Sequence, residues 1–204
     1  MKCRFPIRKK QARRIAERVF EHYRDHAGLS LGVIAFSRKQ AEAIEEEVQA
    51  LRRHQPDFDA YFQEDVHEEF FVKSLENVQG DERDVIFLSV GYGPAADGSI
   101  YYNFGPLSQA KGERRLNVAV TCAKSHMKLV SSMLPEHLPE TKVDGNSGVK
   151  HLKRYMQNVL QGRPSARTDW QNRPAPVFDS RVQANIFRVL SELGYIKGLK
   201  KKRF

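Results

Sequence analysis

A chain of 204 residues with 40% hydrophobic and 29% charged side chains holds enough apolar material for one ordinary domain plus a fragment of another, which excludes a wholly disordered polyelectrolyte. No run of about 18 apolar residues exists, so no helix is expected to cross a membrane. The net charge of +9 is lodged in residues 151–204, which carry 12 basic and 3 acidic side chains, while residues 1–150 balance at 22 of each. Such a basic tail commonly marks contact with nucleic acid, and a solvated chain end has the same composition.

Residues 8–26 read as a helix with Ala12, Ile15, Ala16, Val19, Phe20 and Tyr23 on one stripe. Its other face is basic through Arg8, Lys9, Lys10, Arg13, Arg14 and Arg18, as a solvated helix surface often is. His22 and His26 have the spacing of two metal ligands on a helix, but no third ligand stands near them in the sequence. Residues 31–36 form a compact apolar run, read as a buried strand. Ser37 then opens a helix, with Gln40 completing a capping-box pattern and Ala41, Ile44, Val48 and Leu51 forming the buried stripe. Pro56 closes that helix zone, and residues 57–69 form an acidic connector pinned by Phe58, Tyr61 and Phe62.

Two stretches then pair an apolar run with a charged break. Residues 70–89 read FFVKSLENVQGDERDVIFLS, a strand through Val72 to Ser74, a polar turn over residues 79–84, and a second strand over residues 85–88. Residues 91–98 are a surface turn whose glycines form no phosphate-binding signature, and residues 101–104 read as a short edge strand. Residues 113–132 read ERRLNVAVTCAKSHMKLVSS, a helix over residues 116–123 followed by a strand over residues 127–130. After a looser stretch through Pro135, Pro139 and Gly145, Ser147 caps a helix that buries Val149, Leu152, Met156 and Val159.

QGDERDVIFLS resembles motif V of superfamily 1 helicases, a QGxExD pattern followed by an apolar strand, and RRLNVAVTCAK resembles motif VI. The strand, serine and helix from residue 31 onward are similar to motif IV. The wording is also similar to large bacterial helicase-like proteins that end in a restriction-endonuclease-like domain. The resemblance implies an α/β fold of RecA-like type, a parallel sheet flanked by helices. No GxxxxGKS or GxxxxGKT run occurs in the chain, so the half that carries the phosphate loop is expected to be absent. The implied organisation is a second RecA-like domain over residues 1–160, a linker over 161–177 rich in Arg, Pro and Ser, and a basic segment over 178–204. That segment, with the Ser180 cap and the stripe Val182, Ile186, Val189, Leu190 and Leu193, is similar to the opening helix of a truncated nuclease-like domain.

The resemblance also implies roles. Gln79, Gly80, Glu82, Arg115 and Lys124 would face a nucleotide, Glu82 as an acceptor for a ribose hydroxyl. Ser74, Arg83 and Asn117 would serve nucleic acid. An alternative reading makes residues 81–84 a surface ion-pair cluster of little energetic weight. The family arginine that reaches the γ-phosphate is replaced by Cys122, which lacks both charge and forked donors. Such an arginine contributes roughly 10³–10⁵ in rate, so no catalytic residue is assigned, and Lys124 or a neighbouring arginine would have to substitute. In the intact family member the cofactors are ATP and Mg²⁺; none is expected bound to this chain alone. The expected partners are single-stranded or duplex nucleic acid and a first RecA-like domain, in cis or in trans, with no membrane. Two cysteines, no secretory leader and no apolar span point to the cytoplasm. The expected function is the C-terminal motor domain of an ATP-dependent helicase, inactive alone. The alternatives are a non-catalytic nucleic-acid-binding module and a partner that completes another subunit's ATPase site.

Overall fold

The computed structural model describes residues 9–63, 68–95, 99–143 and 147–161. The linker and basic segment expected beyond residue 161 lie outside them, as does the side chain of Ser147. Two units divide the chain, Met1–Gln157 and Asn158–Phe204, and the architecture described here is that of the first.

Strand β1, Leu31–Ala35, is buried at all five positions, because a continuous apolar run suits a central parallel strand covered on both faces. It lies between β2, Phe71–Ser74, and β3, Arg83–Val90, and β4, Ala123–Ser131, completes the order β2-β1-β3-β4. All three pairings are parallel. Gly32 leaves room for the Phe71 ring of β2: a Cβ there would stand 2.4 Å from the ring, which would have to shift.

Side-chain alternation divides the core in two. Helices α1, Lys9–Asp25, and α2, Arg38–Arg52, set Ile15, Val19, Ile44 and Val48 against Leu31, Val33 and Phe87 on one face. Helices α3, Gly112–Thr121, and α5, Ser147–Leu160, set Leu116, Ala119, Val149 and Leu152 against Ile34, Ile86 and Leu88 on the other. A parallel sheet flanked by helices is the α/β RecA-like architecture that the motifs imply. Among the described residues no helix is long and apolar enough to cross a membrane.

Local chemistry sets the element ends. Ser37 caps α2, its hydroxyl accepting from Gln40 N at 3.3 Å. The acidic connector is pinned by its aromatics, which form a 3-10 turn over Pro56–Phe62. Tyr61 stacks on Tyr23 at 4.5 Å and Phe58 meets Phe20 edge-on at 5.4 Å. A second 3-10 turn, Gly105–Ser108, presents the Leu107 carbonyl to two helices. A Cβ on Gly112 of α3 would lie 2.0 Å from that oxygen, and one on Gly148 of α5 would lie 2.2 Å from it.

Three expectations need correction. Residues 101–104 form no strand: Gly105 N donates to Asn103 Oδ1 at 3.0 Å and Phe104 N to Ser108 Oγ at 2.7 Å, so side chains turn the backbone away from extension. The helix expected over residues 116–123 begins at Gly112 and ends at Thr121. Ala123 already belongs to β4, because Arg83 N donates to Cys122 O at 3.0 Å and the β3–β4 ladder starts there. Lys124 and His126 are therefore strand residues. Finally, Val159 is exposed rather than buried, while Val149, Leu152 and Met156 are buried as expected.

His22 is a core residue that the apolar stripe of α1 conceals. It is 2% exposed, its Nε2 donates to Leu29 O at 2.9 Å, and its Nδ1 has no partner among the described residues. Burial depresses its pKa below the ordinary imidazole value, against the opposing hydrogen bond to Leu29. The unfolded chain therefore takes up this proton first as pH falls, so stability present above about pH 6.5 declines below it. Chemical denaturation at pH 7.5 and 5.5 is expected to show this loss, and His22→Gln to make it smaller.

Candidate functional site

The segment between β2 and β3 carries the motif V residues from one end of the sheet to the other. Ser74 and Ser89 flank Ala35 near the C-terminal ends of the strands, whereas Arg83 pairs with Ala123 at the opposite end. Asn77 N and Val78 N both donate to Ser74 O, at 2.9 and 3.2 Å, and Leu75 and Val78 are buried against the core. Gly80 then takes φ +79°, a left-handed conformation that suits glycine. Gln79, Gly80 and Glu82 emerge exposed at this bend.

Arg83 anchors the turn from inside. Its guanidinium is buried, donates through Nε to Glu69 O at 2.7 Å and through Nη1 to Glu82 O at 2.7 Å, and lies 4.8 Å from the centre of the Phe71 ring. Lys73 fastens the other flank, Nζ to Asp81 Oδ1 at 2.8 Å. Asp84 closes the turn against the start of β1. Its carboxylate accepts from Ser30 N at 3.0 Å and lies 2.9 Å from Ser30 Oγ, and its own N–H donates to that hydroxyl at 2.9 Å. Residues 81–84 are thus a set of structural cross-links with an exposed carboxylate, Glu82, among them.

Motif VI arrives at the same rim. The Arg83–Cys122 backbone bond joins the two segments directly. The Cys122 thiol is buried, donates to Val118 O at 3.2 Å, and is pushed up in pKa by burial and then by Asp81 and Glu82, with Lys73 opposing. Lys124 pairs with Glu68, which holds its pKa above the ordinary lysine value, and Asp84 and Glu82 act on it in the same direction. Gln79, Gly80, Glu82 and Lys124 therefore gather on one rim, at the N-terminal ends of β3 and β4.

The other expected site residues lie elsewhere. Arg115 donates to Pro106 O at 2.9 Å and to Ala110 O at 3.4 Å, bracing the 3-10 turn ahead of α3. Asn117 is exposed on α3. Ser74 is buried at the far ends of the strands, and its hydroxyl has no partner among the described residues. The rim is open; a groove of about 530 Å³ lined by Glu45, Gln49, Phe62 and Phe70 beside β2 contains none of these residues. Sequence reasoning missed Ser30 and Lys73, whose partners stand 54 and 8 residues away in no recognisable pattern.

The AAA domain family matches residues 8–134, a span that includes all four strands and both motif segments. The chain belongs to this family. Relatives include an uncharacterized ATP-dependent helicase of Mycoplasma genitalium, 43% identical over 104 residues, and its homologue of Mycoplasma pneumoniae, 41% identical over 104 residues. Each alignment covers 49% of this chain and 9% of the relative, so the chain spans only a small part of the curated relatives it matches. This AAA domain is helicase-like in fold and in sequence.

The rim offers different chemistry to hydroxyls and to anions. Glu82 offers an exposed acceptor for hydroxyls, and Gly80 leaves the backbone uncovered. For phosphates the rim offers ammonium groups already paired with carboxylates, and at position 122 a buried thiol in place of forked donors.

Proposed function

We propose that this AAA domain is the second, C-terminal RecA-like half of a superfamily 1 helicase motor, of the bacterial type that carries a nuclease-like domain. In this reading it closes on a nucleotide held by a phosphate-loop domain supplied in cis or in trans. The observation that carries it is the Arg83–Cys122 backbone bond, which brings the motif V turn and the end of the motif VI helix to one rim. ATP and Mg²⁺ would supply the phosphoryl chemistry when bound. Glu82 would orient the ribose, the Gly80 bend would admit the nucleotide to the backbone, and Arg83 would keep the turn in register from behind. Nucleic acid would run along the opposite end of the sheet, where Ser74 ends β2, so the segment over residues 75–82 connects the two ligands mechanically.

Cys122 at the arginine position supports a half-motor that does not hydrolyse ATP by itself. The pure chain is expected to show no ATP turnover with or without single-stranded DNA. DNA-stimulated turnover by the pure chain that is abolished by Glu82→Ala contradicts this reading.

A further inference from the structure

Position 122 leaves the rim short of a cation on one particular side of the sheet. Alternation along β4 places Ala123, Met127 and Leu129 against the core beneath α3 and α5. Val130 meets the opposite core, and Lys128 lies over Phe87, which belongs to it. Lys124 lies within the β3–β4 register shift between Ala123 and His126, so its partner rather than strand alternation sets its direction. Its ammonium reaches Glu68, which lies 2.6 Å from Ser30 Oγ at the start of β1.

Lys73 leaves β2 on the side of the core that holds Cys122. It is in register with Ile34, which belongs to the same core as Cys122. Its Nζ is 2.8 Å from Asp81 Oδ1 and 5.2 Å from the centre of the Phe71 ring, so it stands beside the turn that bonds to Cys122 O. The side chain is 37% exposed and that of Asp81 24% exposed, so the pair borders solvent. Its field also reaches the thiol.

We propose that Lys73 supplies the positive charge to the nucleotide's phosphates that the helicase family takes from arginine at position 122, and that Asp81 holds this ammonium until phosphate displaces it. The assignment rests on the nucleotide-rim reading above. An ammonium gives a point charge without a fork, so it serves phosphate binding better than the geometry of transfer. Asp81 competes with phosphate for the same donor, and its carboxylate repels an incoming polyanion.

The test is titration of the full chain with Mg²⁺–ATP and, separately, with adenosine, followed by amide chemical shifts. Lys73→Met is expected to weaken ATP about tenfold, the loss of one charge-assisted contact, and to leave adenosine unchanged. Arg14→Met, which removes an exposed cation from α1, is expected to stay within about twofold of the parent for both ligands. Asp81→Asn is expected to tighten ATP, an outcome that a merely structural ion pair does not give. Unchanged ATP affinity in Lys73→Met, an equal tenfold loss in Arg14→Met, or weaker ATP binding in Asp81→Asn overturns the assignment while leaving the rim in place. A chain that ignores both ATP and adenosine at millimolar concentration overturns the rim and the assignment together.

Discussion

Gly112→Ala is expected to destabilise the domain by about 3 kcal/mol in urea denaturation, against a general rule that points the other way. Within a helix, alanine is favoured over glycine by up to about 1 kcal/mol. Here the new Cβ would stand 2.0 Å from Leu107 O and 2.7 Å from Leu107 C, both backbone atoms of a fully buried residue. The carbonyl has little room to retreat, because Gly148 of α5 also packs against it, so closely that a Cβ there would lie 2.2 Å from the oxygen. Relief requires α3 to shift as a body, which would carry Leu116, Ala119 and Cys122 out of the core. Overpacking against backbone therefore outweighs propensity. Gly28→Ala is the control, since nothing lies within 4 Å of a Cβ there, and its effect should stay within about 0.5 kcal/mol. A Gly112→Ala domain as stable as the parent would mean that α3 packs more loosely on this turn than described.

Arg83→Met is expected to cost about 2–3 kcal/mol and to loosen the motif V turn. The guanidinium is 8% exposed and serves two carbonyls at 2.7 Å while covering the Phe71 ring. Methionine fills part of the volume but leaves Glu69 O and Glu82 O without their donor. Lysine would not restore the arrangement, because one ammonium lacks the fork that meets both carbonyls. Hydrogen exchange at Glu82 and Asp84 should accelerate alongside the fall in stability. An arginine used chiefly to grip nucleic acid would behave otherwise: its loss would spare folding and weaken binding alone.

These two residues also show what the sequence discloses and what it does not. The helices Lys9–Asp25 and Arg38–Arg52 and the strand at residue 31 are written in their periodicity, and every apolar residue assigned to the two stripes is buried. The two motifs place their segments next to each other, as the backbone bond between Arg83 and Cys122 confirms geometrically. Arg83, by contrast, looks like a surface charge in the string ERD. Its burial depends on Phe71 and on the Glu69 carbonyl, contacts that no local pattern encodes. Residues 101–104 mislead for a related reason. Three aromatics among four residues have high strand propensity, but Asn103 and Ser108 offer hydrogen bonds that bend the chain, and tertiary burial of Phe104 holds the bend. The start of β4 is hidden too, since AVTCAK continues a helical pattern until pairing with β3 overrides it.

The central claim is that the turn after Gly80 and the end of α3 form one nucleotide-facing rim. Amide chemical shifts of the full chain titrated with Mg²⁺–ATP test it most directly. The account predicts perturbations concentrated at Gly80, Glu82, Arg83, Cys122 and Ala123, saturating together at one ATP concentration. Perturbations confined to the opposite strand ends, around Ser37, Ser74 and Gly91, would contradict it.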